Sequence, residues 1–531
     1  MNKFNYLKVP DQWNTYFSKY PQGYTILEAL IEWVSQVDNM VDNQNLLNTN
    51  MEDFILKFEN EAQARVTEIL IEWKDSGFLD IVVSDALQTP IQNDMTVTVG
   101  ENGDYTTINE ALTMLSRKYP QYKKYGYQVN ISLLSGFIMQ EQILVSGIDL
   151  SWITITSIDN EVIADRASLT DLFGSENKFP LFGGMNGSTL PNIHVLFNMN
   201  ETGVNTTSRD GVYLETNSFV TIVSGCGVKN ASGYGVRAFD GCTILARGAI
   251  FTNAKERGCM ISQGTKLHAP GIDLSGANGR NGFRAYRGCV ANIDSANISN
   301  CAEVAVRISE GSQVDMQGAN CSNAGLVNSE GSGQALRVFG ASVVNAFGFN
   351  GSGAAGVGVE VSSGSTVDIG SADITNCIGA SGCLAQHAGI IHASSSDASN
   401  NVVGYRATNG GQIIGTTLNA NNCVKGFDLY WEGKISCRNS SAINCTDKAA
   451  DVSTASELRA TNCNFSGAGI SGVRAYRGSD IYLYGTNCRK GLDNATDDIV
   501  CTTGSIIRAN GAIGGVSKTA NVLDNEGVIF N

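Results

Sequence analysis

The chain has 531 residues, a formal net charge of −15 and a pI near 4.8, a balance that argues against general nucleic-acid binding and against docking on an anionic membrane surface. No apolar run reaches the roughly 18 residues of a membrane span. The opening MNKFNYLKVPDQWNTYF lacks the continuous apolar core of a secretory signal, so synthesis in a cytoplasm without export is the expectation.

Residues 1–23 form an N-terminal segment, and 24–92 read as helical. Ile26, Leu30, Val34, Val37 and Val41 recur at spacings of three and four. After the polar NQNLLNTN the stripe resumes in Met51, Phe54, Ile55, Phe58, Ala62, Val66, Ile69 and Trp73. Helices this thin cannot bury such stripes alone, which predicts a coiled coil or bundle between chains. A small helical domain folded within one chain is the alternative. Residues 93–124 then read as a strand, a Gly-Asn-Gly turn and an amphipathic helix from about Thr107 to Arg117. Thr106 or Thr107 is the expected cap, and Pro120 lies beyond the end.

From 125 to 500 a short phrase keeps returning: GVRAFDG at 235–241, GFRAYRG at 282–288 and GVRAYRG at 472–478. The glycines closing the short strands, Gly241, Gly264, Gly288 and Gly311, stand 23, 24 and 23 residues apart. Gly340 and Gly364 are 24 apart, Gly410 and Gly433 are 23 apart, and the polar LVNSEGSGQ lengthens the interval between Gly311 and Gly340. A period near 23 with strands of three to six residues predicts a parallel β-helix, each turn stacked on the next. Helical repeats have a longer period, and the leucine framework of leucine-rich repeats is missing. The seven prolines all lie at or before Pro270, as expected where interior strands use every N–H. The Gly-rich tail 501–531, ending in GVIFN, reads as a cap over the last strand edge.

All fourteen cysteines fall between Cys226 and Cys501, and seven follow an asparagine: Cys301, Cys321, Cys377, Cys423, Cys445, Cys463 and Cys488. With no C-x-x-C pair and no export signal, the expected role is a free thiol packed as a small hydrophobe. The asparagines would stand at bends and the cysteines point inward; disulfides and a metal are the alternatives.

Alternation along VRAYRG turns Val and Ala inward and Arg outward. Stacking then aligns Tyr213, Arg237, Met260, Arg284, Arg307, Arg337, Glu360, Arg406, Asp428 and Arg474 in one outer column. A second column holds Glu215, Phe239, Ser262, Tyr286, Phe339, Tyr430 and Tyr476, with Arg287, Trp431 and Arg477 beside it. The arginines and Tyr286, Tyr430, Trp431 and Tyr476 are candidates to grip an extended anionic or sugar polymer. Pairing of the arginines with acids such as Asp240, Glu310, Glu432 and Asp480 is the plainer alternative. Cleavage of a polysaccharide would need two nearby carboxylates. The candidate pairs are Asp210 with Glu215, Glu303 with Glu310, Glu360 with Asp368, and Asp428 with Glu432, each also readable as surface solubility. The four histidines suggest no triad, GENGDY has no P-loop lysine, and the calcium repeat G-G-x-G-x-D is absent. No cofactor is expected; calcium stays open without a motif for it.

GENGDYTTINEAL followed by short strands resembles the entry to right-handed, single-stranded parallel β-helices of the pectate-lyase-like kind found in bacteriophage tail spikes, tail fibres and neck appendages. The amphipathic N-terminal region and the GVIFN ending are similar to such virion proteins too. The resemblance implies a homotrimer assembled in the host cytoplasm and carried on the virion. Its N-terminal region would join other virion proteins, and its β-helical body would adsorb to a host cell-surface polysaccharide or teichoic acid. A depolymerase, hydrolase or lyase, acting on that polymer is the second reading, and a non-catalytic spacer the third. The aspartate cluster and arginine of pectate lyases have no residue-by-residue match here.

Overall fold

The computed structural model describes residues 89–91, 93–120, 126–165, 180–199, 209–326, 333–489, 497–513, 521–524 and 528–530, with six positions nearer the N-terminus. The chain forms two compact units, 1–89 and 90–531. In the first, Glu28, Ile31, Glu61, Ala64, Arg65 and Glu68 are helical and exposed, and Arg65 pairs with Glu68 at 3.0 Å. The apolar stripes Ile26–Val41 and Met51–Trp73, and with them the expectation of an interchain bundle, lie outside the described residues.

The second unit is the expected parallel β-solenoid. Its first rung comes early: Met95–Val99 pairs in parallel with Val129–Leu133, which pairs with Ile153–Ser157. Between them the helix Ile108–Leu115 closes the end of the core with Ile108, Ala111, Leu112 and Leu115. Thr107 caps it in a reciprocal capping box with Glu110. Glu141, from the next turn, accepts from the free N–H groups of Ile108 (2.6 Å) and Asn109 (2.9 Å), satisfying donors that the helix itself leaves open. Burial raises the Glu141 pKa despite those bonds.

Two long sheets then run up the solenoid. The first carries sixteen strands among the described residues, from Ile143–Ser146 to Asn521–Asp524; the second carries fourteen, from Phe219–Thr221 to Val528–Phe530. The tail therefore does not begin as a cap at 501: Ile506–Arg508, Asn521–Asp524 and Val528–Phe530 extend both sheets by parallel pairing. Their strand pattern survives although the arginine phrase has gone.

A third edge is made of single-residue bridges through Asp273, Asn297, Asn320, Asn350, Asp373, Asp397, Asn419, Ser441, Asn464 and Asn487. Apart from Ser441, which bonds to Asn419 one turn away, each of these side chains accepts from the backbone N–H two residues on and so organises its own bend. Asp373 Oδ1 accepts from Thr375 N at 3.1 Å and Asn350 Oδ1 from Ser352 N at 3.0 Å. Neighbours also bond along the stack, Asn297 Nδ2 donating to Asp273 Oδ1 at 3.1 Å. The signature, Asp or Asn followed two residues later by Ser or Thr in IDLS, ANIS, FNGS, ADIT and CNFS, marks the turns as regularly as the glycines do.

Inward positions meet the same positions one turn away. Val236, Cys259, Phe283, Val306, Leu336, Val359, Cys383, Tyr405 and Phe427 form one buried column. Cysteine thus alternates with Val and Phe as a core residue. All fourteen are free thiols and all but Cys226 are buried, and burial pushes the Cys423 thiol up to about 11. Asn300, Asn376, Asn422, Asn444 and Asn462, each before such a cysteine, adopt left-handed backbone; Asn320 and Asn487 instead belong to the bridge ladder.

Candidate functional site

The outer face of the first long sheet carries the candidate residues. Its central column reads, in register, Tyr213, Arg237, Met260, Arg284, Arg307, Arg337, Glu360, Leu384, Arg406, Asp428, Asp451 and Arg474. The predicted order holds, with Leu384 and Asp451 added. Beside it, aromatic and small residues alternate: Ser262 opposite Tyr286, Thr408 opposite Tyr430, Ser453 opposite Tyr476. The small partners are buried, and the arginines lie over the rings. Arg284 stands 4.5 Å from the Tyr286 centroid, Arg474 4.4 Å from Tyr476, and Arg307 and Arg337 flank Phe339 at 5.2 and 5.6 Å. The outward arginines are consequently half-buried, not free in solvent.

Three stretches of the column differ in charge. At the lower end Arg237 packs over Tyr234 (4.7 Å) and Phe239 (5.3 Å) and pairs with Asp210 at 3.5 Å. Asp210 is fully buried and accepts from Tyr234 N at 2.9 Å. Desolvation outweighs these partners and pushes its pKa up to about 6. A folded-state value above the unfolded 3.8 means that native Asp210 holds its proton more tightly. Its contribution to stability is therefore full below that value and is lost as pH rises towards 6. Asp210→Asn is expected to raise stability at pH 8 by about 1–2 kcal/mol and to change it little at pH 4. Calorimetric melts at both pH values check this, and a lower melting temperature at pH 8 would refute it.

At the upper end the charges close on themselves. Arg406 Nη2 reaches Asp428 at 2.9 Å, Lys425 Nζ bridges Asp428 (3.2 Å) and Asp451 (2.6 Å), and Arg474 Nε binds Asp451 at 2.8 Å. The bridging lysine places the two carboxyls within about 6 Å of one another, near the spacing of a retaining glycosidase pair. Burial opposes the ionisation of Asp451, but Arg474 and Lys425 hold it below the usual carboxylate range, so it has no proton to lend as a general acid.

In the middle, Arg284, Arg307 and Arg337 occupy consecutive turns. Among the described residues neither Arg284 nor Arg307 makes an ion pair. Arg337 lies 3.6 Å from Glu360, too far for a hydrogen bond, and that carboxylate is held by Gln334 and by Gln386 at 3.0 Å. The Nε–H of all three arginines is buried without an acceptor. Burial, with Arg284, Arg337 and Arg257 close by, lowers the Arg307 pKa. Arg257, buried at the start of the strand Arg257–Ser262, donates to Asn281 Oδ1 at 3.2 Å and to the Tyr234 hydroxyl.

The remaining candidates scatter. Arg287 pairs with Glu310 at 3.4 Å between side chains more than half exposed, a contact of small energetic weight. Arg477 caps the Tyr476 ring at 5.6 Å. The members of each proposed acid pair lie in different surroundings. Asp210 and Glu215 are separated by the strand Val212–Leu214, and Glu215 accepts from the Tyr213 hydroxyl at 2.7 Å. Glu303 and Glu310 flank the two ends of Val304–Ile308, about 23 Å apart along extended chain. Glu360 is on the first long sheet and Asp368 is exposed on the second. Asp428 is buried in the column, whereas Glu432 stands in an exposed turn. Residues near in sequence lie far apart in a strand; turn-to-turn register is what brings acids together. Asp451 could have been found that way, 23 residues after Asp428, although KAADVS lacks the arginine phrase. Among the described residues no group of His, Cys, Asp and Glu is arranged to hold a metal ion.

No family model and no curated protein matches the chain. Among solved structures it is similar to the catalytic domain of a GH87 alpha-1,3-glucanase in complex with tetrasaccharides, at 12% identity over 84% of this chain and 70% of that one, with a TM-score of 0.26. A likeness at that score carries no argument about activity.

Proposed function

We propose that this protein is a virion adsorption protein, a tail spike, fibre or appendage, whose first long sheet holds an extended anionic cell-surface polymer such as a teichoic acid or acidic polysaccharide. The observation that carries the polymer reading is the run Arg284, Arg307 and Arg337, stacked on consecutive turns with buried Nε–H donors that no protein acceptor meets. Like charges kept this close, with no acid pairing Arg284 or Arg307 among the described residues, favour a ligand that brings anions at a matching repeat to the outer guanidinium N–H groups. The trimer and the attachment of residues 24–92 to the virion rest on the apolar stripes in the sequence and on the family resemblance.

Binding fits the site better than cleavage. Of the close pair Asp428 and Asp451, Asp451 is held ionised by Arg474 and Lys425, and Asp210, a carboxyl of this face whose pKa is raised, is fully buried. Incubation with wall teichoic acid and with capsular polysaccharide from Gram-positive cells, followed by co-sedimentation and sizing of the polymer, tests this. Retention without shortening is expected. Shortening would establish a depolymerase instead, and neither retention nor shortening would leave a spacer.

A further inference from the structure

From Phe182–Met185 to Asp497–Thr502, the strands of the first long sheet end in a pair of left-handed residues, and the first of that pair is polar, small or flexible in most turns, as at Asp240, Gln263, Ser363, Asn409 and Thr454. In one turn it is Trp431, at φ 48°, followed by Glu432 at φ 62° where most other turns have glycine. A bulky aromatic side chain in left-handed backbone is an outlier that local sterics disfavour. The fold draws nothing evident from it. The indole is 56% exposed, and its ring contact is edge-on with Tyr430, centroids 5.0 Å apart. Strain of this kind, held at an exposed side chain, points from an observed outlier to a function.

The surroundings say what the indole can meet. In the neighbouring strands Arg406, Asp428, Lys425, Asp451 and Arg474 satisfy one another, so these five offer no open charge to an anion. What remains is a flat apolar face beside a half-buried tyrosine, with the Glu432 carboxylate next to it in the turn. We propose that Trp431 is a stacking platform for an uncharged pyranose ring, whose C–H face lies on the indole. This rests on the reading of the first long sheet as a polymer-binding face. It adds that the polymer alternates in chemistry, with anionic groups at Arg284–Arg337 and a neutral sugar four turns higher, about 19 Å along the stack.

The test uses the full chain and two kinds of probe: neutral tetrasaccharides of β-1,4-glucose and of β-1,4-N-acetylglucosamine, and polyglycerol phosphate. One of the tetrasaccharides is expected to shift tryptophan fluorescence in the wild type. Trp431→Gly should abolish that shift and weaken binding at least tenfold. Trp431→Tyr should retain part of it, and both should bind polyglycerol phosphate as the wild type does. Glycine takes left-handed backbone freely, so Trp431→Gly should melt no lower than the wild type; a merely structural tryptophan would lower the melting temperature. The proposal is overturned if neither tetrasaccharide shifts the wild-type signal, if Trp431→Gly binds sugar undiminished, or if it melts lower. Loss of polyglycerol phosphate binding in the wild type, with sugar binding intact, would instead overturn the anionic reading and leave the indole site standing.

Discussion

Replacing Arg284 and Arg307 together by alanine is expected to weaken binding of polyglycerol phosphate by about 2–4 kcal/mol, roughly thirty- to a thousand-fold, while the protein melts at an unchanged or higher temperature. Hydrogen bonds to charged groups are the strong ones, and each guanidinium would contribute one or two to a phosphate. The folded state loses little. These two side chains repel each other across one turn, with no acid pairing either among the described residues, and each keeps a buried Nε–H without an acceptor. Loss of the stems over Tyr286 and Phe339 acts the other way, by a smaller amount for partly exposed packing. Added salt should weaken the wild type more than the double variant, which has lost part of the screened attraction. Titrations at two salt concentrations beside a thermal melt give the answer. Undiminished affinity in the double variant, with the wild type binding, would remove the arginine run from the site.

The solenoid was legible in the sequence because its turns repeat the same local chemistry. Glycine-closed strands at a period near 23 predicted both the pairing and the outer column, down to Arg284 opposite Arg307 opposite Arg337. Charge partners were legible only in part. A partner is chosen by register across turns, and the reading followed neighbours along the chain, so Glu303 was set with Glu310 and Asp428 with Glu432. Arg257, Lys425 and Asp451 went unnoticed because their strands, RGCMIS, KGFDLY and KAADVS, keep the position and drop the phrase. The half-burial of the arginines was also hidden. It comes from aromatic rings lying beside small residues such as Ser262, Thr408 and Ser453, an arrangement set by pairs of turns and not by any single one.

Asp451→Ala is expected to be the costliest surface-face substitution, at about 3–5 kcal/mol, because removing one member of a buried charge cluster strands the others. Asp451 is 2% exposed and binds Lys425 Nζ at 2.6 Å and Arg474 Nε and Nη2 at 2.8 and 3.0 Å. Without it Arg406, Lys425 and Arg474 would share Asp428 alone. Asp451→Asn keeps the shape and one acceptor and should cost less, about 1–3 kcal/mol. The pH dependence separates the charge from the packing. The folded pKa of Asp451 lies below its unfolded value of 3.8, so its stabilisation is fully present above that value and is lost as pH falls through it. The wild type should therefore melt lower on acidification below about pH 4, and Asp451→Asn should lack that part of the fall. Asp210 acts in the opposite direction, its stabilisation growing as pH drops from about 6 towards 4, so the wild-type profile should rise and then fall on acidification. Because each turn of a solenoid is supported mainly by its neighbours, the damage should also be local. Hydrogen exchange is expected to quicken in Lys425–Tyr430, Lys448–Ser453 and Ser471–Tyr476 and to stay slow near Asn281–Tyr286. Uniform loss of protection along the whole stack would show that the cluster holds up the entire solenoid rather than its own three turns.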